Sequence, residues 1–379
     1  MYTAPRERVG LLQDRTERSE ELSMTAAEAF EQVAGNSNDA AAPYLYFTLP
    51  VEALDAQLLG RAPGWEQLAC VDSSSDSRAC PPWLQLWAGS AGSTTQAHYD
   101  VADNCFVQVW GSKEFYLWPP SAHAALHLYP DAHPRARKSQ LCIEHPDLAT
   151  HPLAASLPPP MRLTLQPGDA LVVPAFWIHH VTARSGCTSL NVFSESPIKL
   201  AAAAVLQEPL PLHPTWPATL KRAGLAIALG ELFDMLGLQS TPLLARLLDS
   251  RFAPLAATAS APYADGASAG APAARTRRKK APPPPSLEDL RPVLLDHARS
   301  TAAAFEQLRT TVHDTEPAYE ARWRDEGSTE GWPDEWTGSV LDHHAALREL
   351  TVFHAIELWT LGLFGPAALE PELRRLRDS

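Results

Sequence analysis

His98-Tyr99-Asp100 sets an imidazole and a carboxylate two residues apart. On a β-strand, residues i and i+2 project from the same face, so this pair would stand side by side. One more histidine from a distant strand would complete a two-histidine, one-carboxylate set. That set holds iron(II) on one face and leaves positions open for oxygen chemistry. The pair alone is a weak signal: with 14 histidines and 44 acidic residues in 379, chance yields roughly 1.6 such pairs. A second one, His145-Pro146-Asp147, contains a proline that would interrupt a ladder, and it reads as a turn or helix start. His98 and Asp100 differ because they follow a Gly/Ser/Thr turn and precede a strong hairpin signal.

The third ligand is sought after the tight turn Pro167-Gly168-Asp169, where Pro174 to Val181 carries His179 and His180 in an apolar strand. A buried histidine there needs a partner for its ring nitrogens. His179 is the better candidate; His180, of opposite parity, would face outward or support the site. An iron of this kind needs a reductant. A 2-oxoglutarate co-substrate would chelate the metal through its keto acid and present a far carboxylate to a cation and hydrogen-bond donors. Lys113, just past Gly111-Ser112, offers a charge-assisted bond. Thr95, Asn104 and Asn191 offer short polar groups from neighbouring strands.

These side chains need a scaffold of short strands. Tyr44 to Leu49 is an aromatic and β-branched run stopped by Pro50, a first strand. From Trp83 to Phe193 the chain alternates strand-like runs with turns. Cys105–Trp110 and Lys113–Trp118 flank Gly111-Ser112 as a type II′ hairpin would. Many short antiparallel strands of this kind predict a mainly β fold, a closed or double-sheet barrel. Ahead of it, residues 1–40 are polar, with a short helix expected over Ser23–Ala34, another over Val51–Leu59 and a loop at Ser73–Ser77. His123 to Leu157 reads as a proline- and histidine-rich excursion without strand period.

Past Lys199 the pattern becomes helical. The expected divisions are an N-terminal segment 1–40, a barrel over 41–198, a helical segment over 199–253, an insertion over 254–286 and a C-terminal helical region over 287–379. The insertion is rich in alanine, proline, glycine and serine and carries Arg275, Arg277, Arg278, Lys279 and Lys280; it buries too little apolar surface to offset ordering entropy. Ser286-Leu287-Glu288-Asp289 is a cap-like start for a helix to about Val312. Ser339 to Leu363 is apolar around most of its circumference, which predicts a buried helix or a homodimer interface.

A formal charge of −13 disfavours a generic nucleic-acid binder, while leaving room for a local basic patch. Five cysteines without a C-x-x-C pair read as reduced thiols. No apolar run approaches the ~20 residues of a bilayer span, and the acidic N-terminus does not read as a signal or transit peptide. The expectation is a cytoplasmic or nuclear protein without a membrane association.

The blocks Leu84-Gln85-Leu86-Trp87, His98 to Asn104, Gln108 to Lys113, Pro167 to Val181 and Asn191-Val192-Phe193 resemble, in order and spacing, the JmjC-domain 2-oxoglutarate oxygenases, a branch of the cupins. The resemblance covers about residues 83–196. It implies a double-stranded β-helix, iron(II) at His98, Asp100 and His179, and 2-oxoglutarate at Thr95, Asn104, Lys113 and Asn191, with O2 as oxidant. His-x-Asp in place of His-x-Glu implies a hydroxylase rather than a histone demethylase. Within the family the chain is most similar to the tRNA wybutosine hydroxylases, through Tyr44 to Pro50, His98 to Asn104, His145 to Ala149 and the segment Ala302 to Arg322. It departs from them in a longer loop over residues 88–97 and in the 254–286 insertion. The implied substrate is a hypermodified tRNA nucleoside. Two rivals are a protein side-chain hydroxylase acting on Asn, Asp, His or Lys, and a cupin barrel that binds without turnover.

Overall fold

Among the described residues, eleven strands build two facing antiparallel sheets: β1 (Tyr2–Ala4), β2 (Glu20–Glu21), β3 (Tyr44–Pro50), β4 (Trp83–Gly89), β5 (Thr94–Tyr99), β6 (Asp103–Trp110), β7 (Lys113–Trp118), β8 (Met161–Leu165), β9 (Ala170–Val173), β10 (Ile178–Ala183) and β11 (Cys187–Ser194). The larger sheet runs β2-β1-β3-β4-β11-β6-β9 and the smaller one β5-β10-β7-β8. The chain is a computed structural model that describes residues 2–4, 20–21, 24–35, 44–50, 81–133, 135–207, 209–257, 283–325 and 340–378. The expected helix Val51–Leu59, the loop Ser73–Ser77 and the core of the insertion, with Arg275 to Lys280, lie outside the described residues.

From β4 to β7 the chain changes sheet at every step, and it changes again between β8, β9, β10 and β11. That zigzag is a double-stranded β-helix. It corrects the hairpin expected around Gly111-Ser112. β6 pairs with β11 and β9, whereas β7 pairs with β10 and β8, so the turn is a corner between sheets. Gly111 has φ +68°, and an added Cβ would lie 2.1 Å from the Gly186 carbonyl oxygen. Only glycine meets both demands. Strands β1 and β2 extend the larger sheet beyond the strand expected to be first: β1 pairs with β3, and β2 with β1.

Alternation divides each strand between two cores. Leu84, Leu86, Ala88, Cys105 and Val192 point out of the larger sheet into a core shared with Leu45, Phe47 and the helices. The opposite faces meet inside the barrel, where Phe106, Phe115, Leu117, Met161, Leu165, Val173, Trp177 and Val181 pack together. Helix Ala26–Gly35 lies on the outer core, started by a capping box in which Thr25 and Glu28 bond each other's backbone N–H.

The C-terminal helices wrap the outer face. Leu287–Asp325 packs on Ala218–Leu236 and on Pro197–Leu206. It begins where expected, with Ser286 Oγ accepting the Asp289 N–H at 3.1 Å. It runs well past Val312 and through Pro317, because Val312, Thr315 and Tyr319 are buried and that packing outweighs one lost backbone bond. Helix Val340–Phe364 buries Leu347, Leu350, Val352, Phe353, Ile356, Trp359 and Leu363 within the chain, so its apolar circumference does not call for a second copy. Buried Arg251 ties this helix to the 123–157 excursion, donating to Asp131 at 2.6 Å and Glu357 at 2.8 Å. No single described helix is long and apolar enough to cross a membrane.

Candidate metal centre

His98 sits near the end of β5, and His179 opposes it directly across the β5–β10 ladder. Asp100 follows the end of β5, where its carbonyl accepts the Phe176 N–H at 2.7 Å. One donor atom from each of His98, Asp100 and His179 lies within 4.8 Å of the others, and among the described residues no other such group of three is found. The two rings are 4.2 Å apart between centroids, and His179 Nε2 is 3.8 Å from an Asp100 oxygen. His145 and Asp147 are elsewhere: Asp147 accepts the Ala149 and Thr150 N–H groups in a turn.

Each imidazole is oriented by the carbonyl two residues before it. His98 Nδ1 is 2.8 Å from the Gln96 oxygen, and His179 Nδ1 is 3.2 Å from the Trp177 oxygen. A carbonyl only accepts, so Nδ1 carries the proton in both rings and the Nε2 lone pairs are left for a ligand. Burial and the neighbouring His179 ring, partly offset by Asp100, push the His98 pKa well below its ordinary value. Two neutral nitrogens and one carboxylate are the donor set that would suit a divalent first-row metal. His180 faces the other way, its Nε2 3.0 Å from Glu144 and its ring edge-on to Tyr116.

Beyond His98, Asp100 and His179, side chains cross the barrel between sheets. Lys113, on β7, reaches Ser189 on β11 at 2.8 Å and lies 4.9 Å from the Phe106 ring. It is 5% exposed, so it is not a solvated turn lysine. Burial lowers its pKa, and among the described residues no carboxylate pairs with it. Asn191 donates to Asn104 at 3.1 Å, and its own buried carbonyl oxygen has no partner among the described residues. Thr95 meets Tyr46 across the barrel at 3.4 Å. A buried, unpaired cation beside unsatisfied amide and indole groups (Trp87 Nε1 is also buried without a partner) fits a small dicarboxylate such as 2-oxoglutarate.

Sequence reasoning missed Ser189 and Tyr46. Both had a readable signal: Ser189 shares the parity of Asn191, and Tyr46 lies in the same aromatic run as the first expected strand. The carbonyls of Gln96 and Trp177 carried none, because a backbone group has no residue type.

A two-sheet β-helix with such a donor set at its open end defines a cupin. A family model described as a cupin-like domain matches residues 4–199, and the chain belongs to that family. Among curated proteins, human tRNA wybutosine-synthesizing protein 5 is 36% identical over 121 residues, 32% of this chain and 33% of that protein. Lysine-specific demethylase JMJ31 of Arabidopsis thaliana is 32% identical over 114 residues, 30% of this chain and 21% of the relative. Human bifunctional peptidase and (3S)-lysyl hydroxylase JMJD7 is 29% identical over 130 residues, 29% of this chain and 41% of the relative. The chain thus matches between about a fifth and two fifths of the length of these relatives.

Proposed function

We propose that this protein is an iron(II)- and 2-oxoglutarate-dependent oxygenase that hydroxylates a C–H bond of a hypermodified tRNA nucleoside. The observation that carries the reading is the convergence of His98, Asp100 and His179, one donor atom of each within 4.8 Å of the others, with both Nδ1 atoms engaged by backbone carbonyls. When bound, iron(II) with 2-oxoglutarate and O2 supplies the oxidation that places one oxygen atom of O2 in the substrate, releasing succinate and CO2. The three ligands hold the metal on one face and leave the rest of its coordination sphere to the reactants. Lys113, steadied by Ser189, binds the far carboxylate of the co-substrate, and Asn104, Asn191 and Thr95 orient it. The apolar wall of Phe106, Phe115, Leu117 and Val181 keeps water from the reacting centre.

The nucleoside assignment rests on the similarity to the wybutosine-synthesizing proteins. The similarity to a lysyl hydroxylase makes a protein side chain the rival substrate. Incubation with iron(II), 2-oxoglutarate and either tRNA bearing the unhydroxylated nucleoside or a peptide panel separates them. A gain of 16 Da in the tRNA nucleoside, absent with His98→Ala, is expected. Peptide hydroxylation without any tRNA product removes the nucleoside reading. Equal succinate release by both proteins removes the metal assignment.

A further inference from the structure

Inside the barrel, the side-chain parity of β11 is fixed by contact. Ser189 accepts a bond from the Lys113 ammonium across the barrel, and Asn191 donates to Asn104 beside it. Phe193, two residues further, projects from the same face. On the adjoining strand β4, Trp87, Gln85 and Trp83 stand opposite Ser189, Asn191 and Phe193 in register, so they share that face. The two strands thus present three rows. Ser189 and Trp87 lie deepest, Asn191 and Gln85 come next, and Phe193 with Trp83 ends the series.

The last row lies at the mouth. Ser194 pairs with Asp103 and Phe193 with Asn104, so this end of β11 meets the start of β6, directly after the loop that carries Asp100. From Ser189 to Phe193 is four residues, about 14 Å along a strand. A five-carbon co-substrate anchored on Lys113 does not extend so far. The outermost row is left for the substrate.

At that row the rings of Trp83 and Phe193 are stacked, with centroids 5.4 Å apart and planes 17° from parallel. Phe193 is partly buried, while Trp83 is 37% exposed, so the indole rests on a supported ring and keeps surface in solvent. An aromatic plane held from behind has little side-chain freedom left to lose on binding. One row deeper, Gln85 Nε2 donates to Thr48 Oγ1 at 2.5 Å. The amide oxygen of Gln85 is left as an acceptor without a partner among the described residues.

None of the six side chains in these rows is charged. A lysine or aspartate entering here would give up hydration without a counter-charge. Strand addition is closed as well, because β4 and β11 are interior strands in the order β3-β4-β11-β6, with ladders on both sides. What the mouth offers is a π face and, beside it, an amide acceptor. A nucleobase matches both: its face stacks, and the amine on its rim donates.

We propose that Trp83, supported by Phe193, is the stacking plane for the base of the substrate, and that Gln85 reads the edge of that base. This deepens the nucleoside reading and rests on it, but stacking is measurable without turnover. The test uses a short labelled single-stranded RNA with a central 2-aminopurine, whose emission is quenched when the base stacks. The same RNA with an abasic centre, or with unsubstituted purine there, serves for comparison by fluorescence polarisation. Full-length wild type, Trp83→Ala, Trp83→Phe and Gln85→Ala are titrated, and cobalt(II) absorption at the His98 site reports that each is folded.

Wild type quenches the 2-aminopurine and binds that RNA about tenfold tighter than the abasic one. Trp83→Ala loses the quench and the preference, yet keeps the wild-type salt slope, because no phosphate contact is removed. Trp83→Phe retains both. Gln85→Ala keeps the quench but no longer favours 2-aminopurine over purine, which lacks the amine. A Trp83→Ala protein that still prefers the base-bearing RNA overturns the proposal, as does equal weakening toward base-bearing and abasic RNA. So does a tryptophan-centred peptide that binds through Trp83 when no RNA does. An unchanged amine preference in Gln85→Ala overturns the edge-reading part. If the quench depends on Trp83 but wild type never hydroxylates tRNA, the stacking plane stands and the hydroxylation reading falls. If wild type and Trp83→Ala hydroxylate tRNA equally, the plane falls and the hydroxylation reading stands.

Discussion

The Tyr319 hydroxyl donates to Asp103 Oδ1 at 2.7 Å, joining the long C-terminal helix to a barrel strand 216 residues earlier. The same carboxylate oxygen accepts the Ala175 N–H at 2.8 Å. Asp103 lies three residues after Asp100, and Ala175 four before His179, so one buried group braces both ligand-bearing segments from behind. The helix is therefore part of what holds Asp100 and His179 in place.

Tyr319→Phe removes a hydrogen bond to a buried acid while keeping the ring. Urea unfolding of the metal-free protein is expected to show a loss of about 1.5–3 kcal/mol. The cobalt(II) spectrum should shift as well, because the brace acts on Asp100 and His179. An unchanged midpoint and spectrum would reduce the contact to incidental packing.

Asp103 also sets a pH dependence. Burial pushes its pKa from 3.8 up to about 6, against the lowering effect of its hydrogen bonds. The folded state thus holds this proton more tightly than the unfolded state does. The contribution to stability is full below pH 3.8, declines as pH rises and is gone above about 6. A shift of that size corresponds to roughly 3 kcal/mol. Stability curves for wild type and Asp103→Asn should diverge across this window, the variant losing less as pH rises; parallel curves would show that Asp103 does not titrate there.

His98→Ala, Asp100→Ala and His179→Ala each remove one donor from a set in which the others are already oriented. Cobalt(II) affinity measured by absorption should fall about 100-fold or more in each. Wild type at a metal concentration of about 100 times Kd should gain roughly 2.7 kcal/mol of stability, and the variants about 0.4 kcal/mol or less. His180→Ala, by contrast, leaves metal affinity as it was, since that ring faces Glu144. Loss of affinity on changing His180 would redraw the site.

Lys113→Met tests a charge that is buried without a counter-charge. Two opposite effects are expected: a co-substrate KM raised about tenfold or more, and a metal-free protein stabilised by about 1–2 kcal/mol because the desolvated cation is gone. A structural lysine would show neither. An unchanged KM for 2-oxoglutarate would separate Lys113 from the co-substrate.

Residue type and spacing alone determined that His98 and Asp100 share a face, that a turn and an apolar strand deliver His179 rather than His180, and that a β-barrel precedes a helical region. Those are local properties: alternation is a consequence of strand geometry, and turn chemistry acts over a few residues. Which strand pairs with which was decided only by the tertiary structure. Gly111-Ser112 read as a hairpin and is a corner between sheets, because parity tells inward from outward but not one sheet from the other. Lys113 points inward, Leu287–Asp325 runs through Pro317, and the Val340–Phe364 helix is covered by its own chain for one shared reason. Burial against residues distant in sequence outweighs local propensity, and no window of the sequence contains both partners.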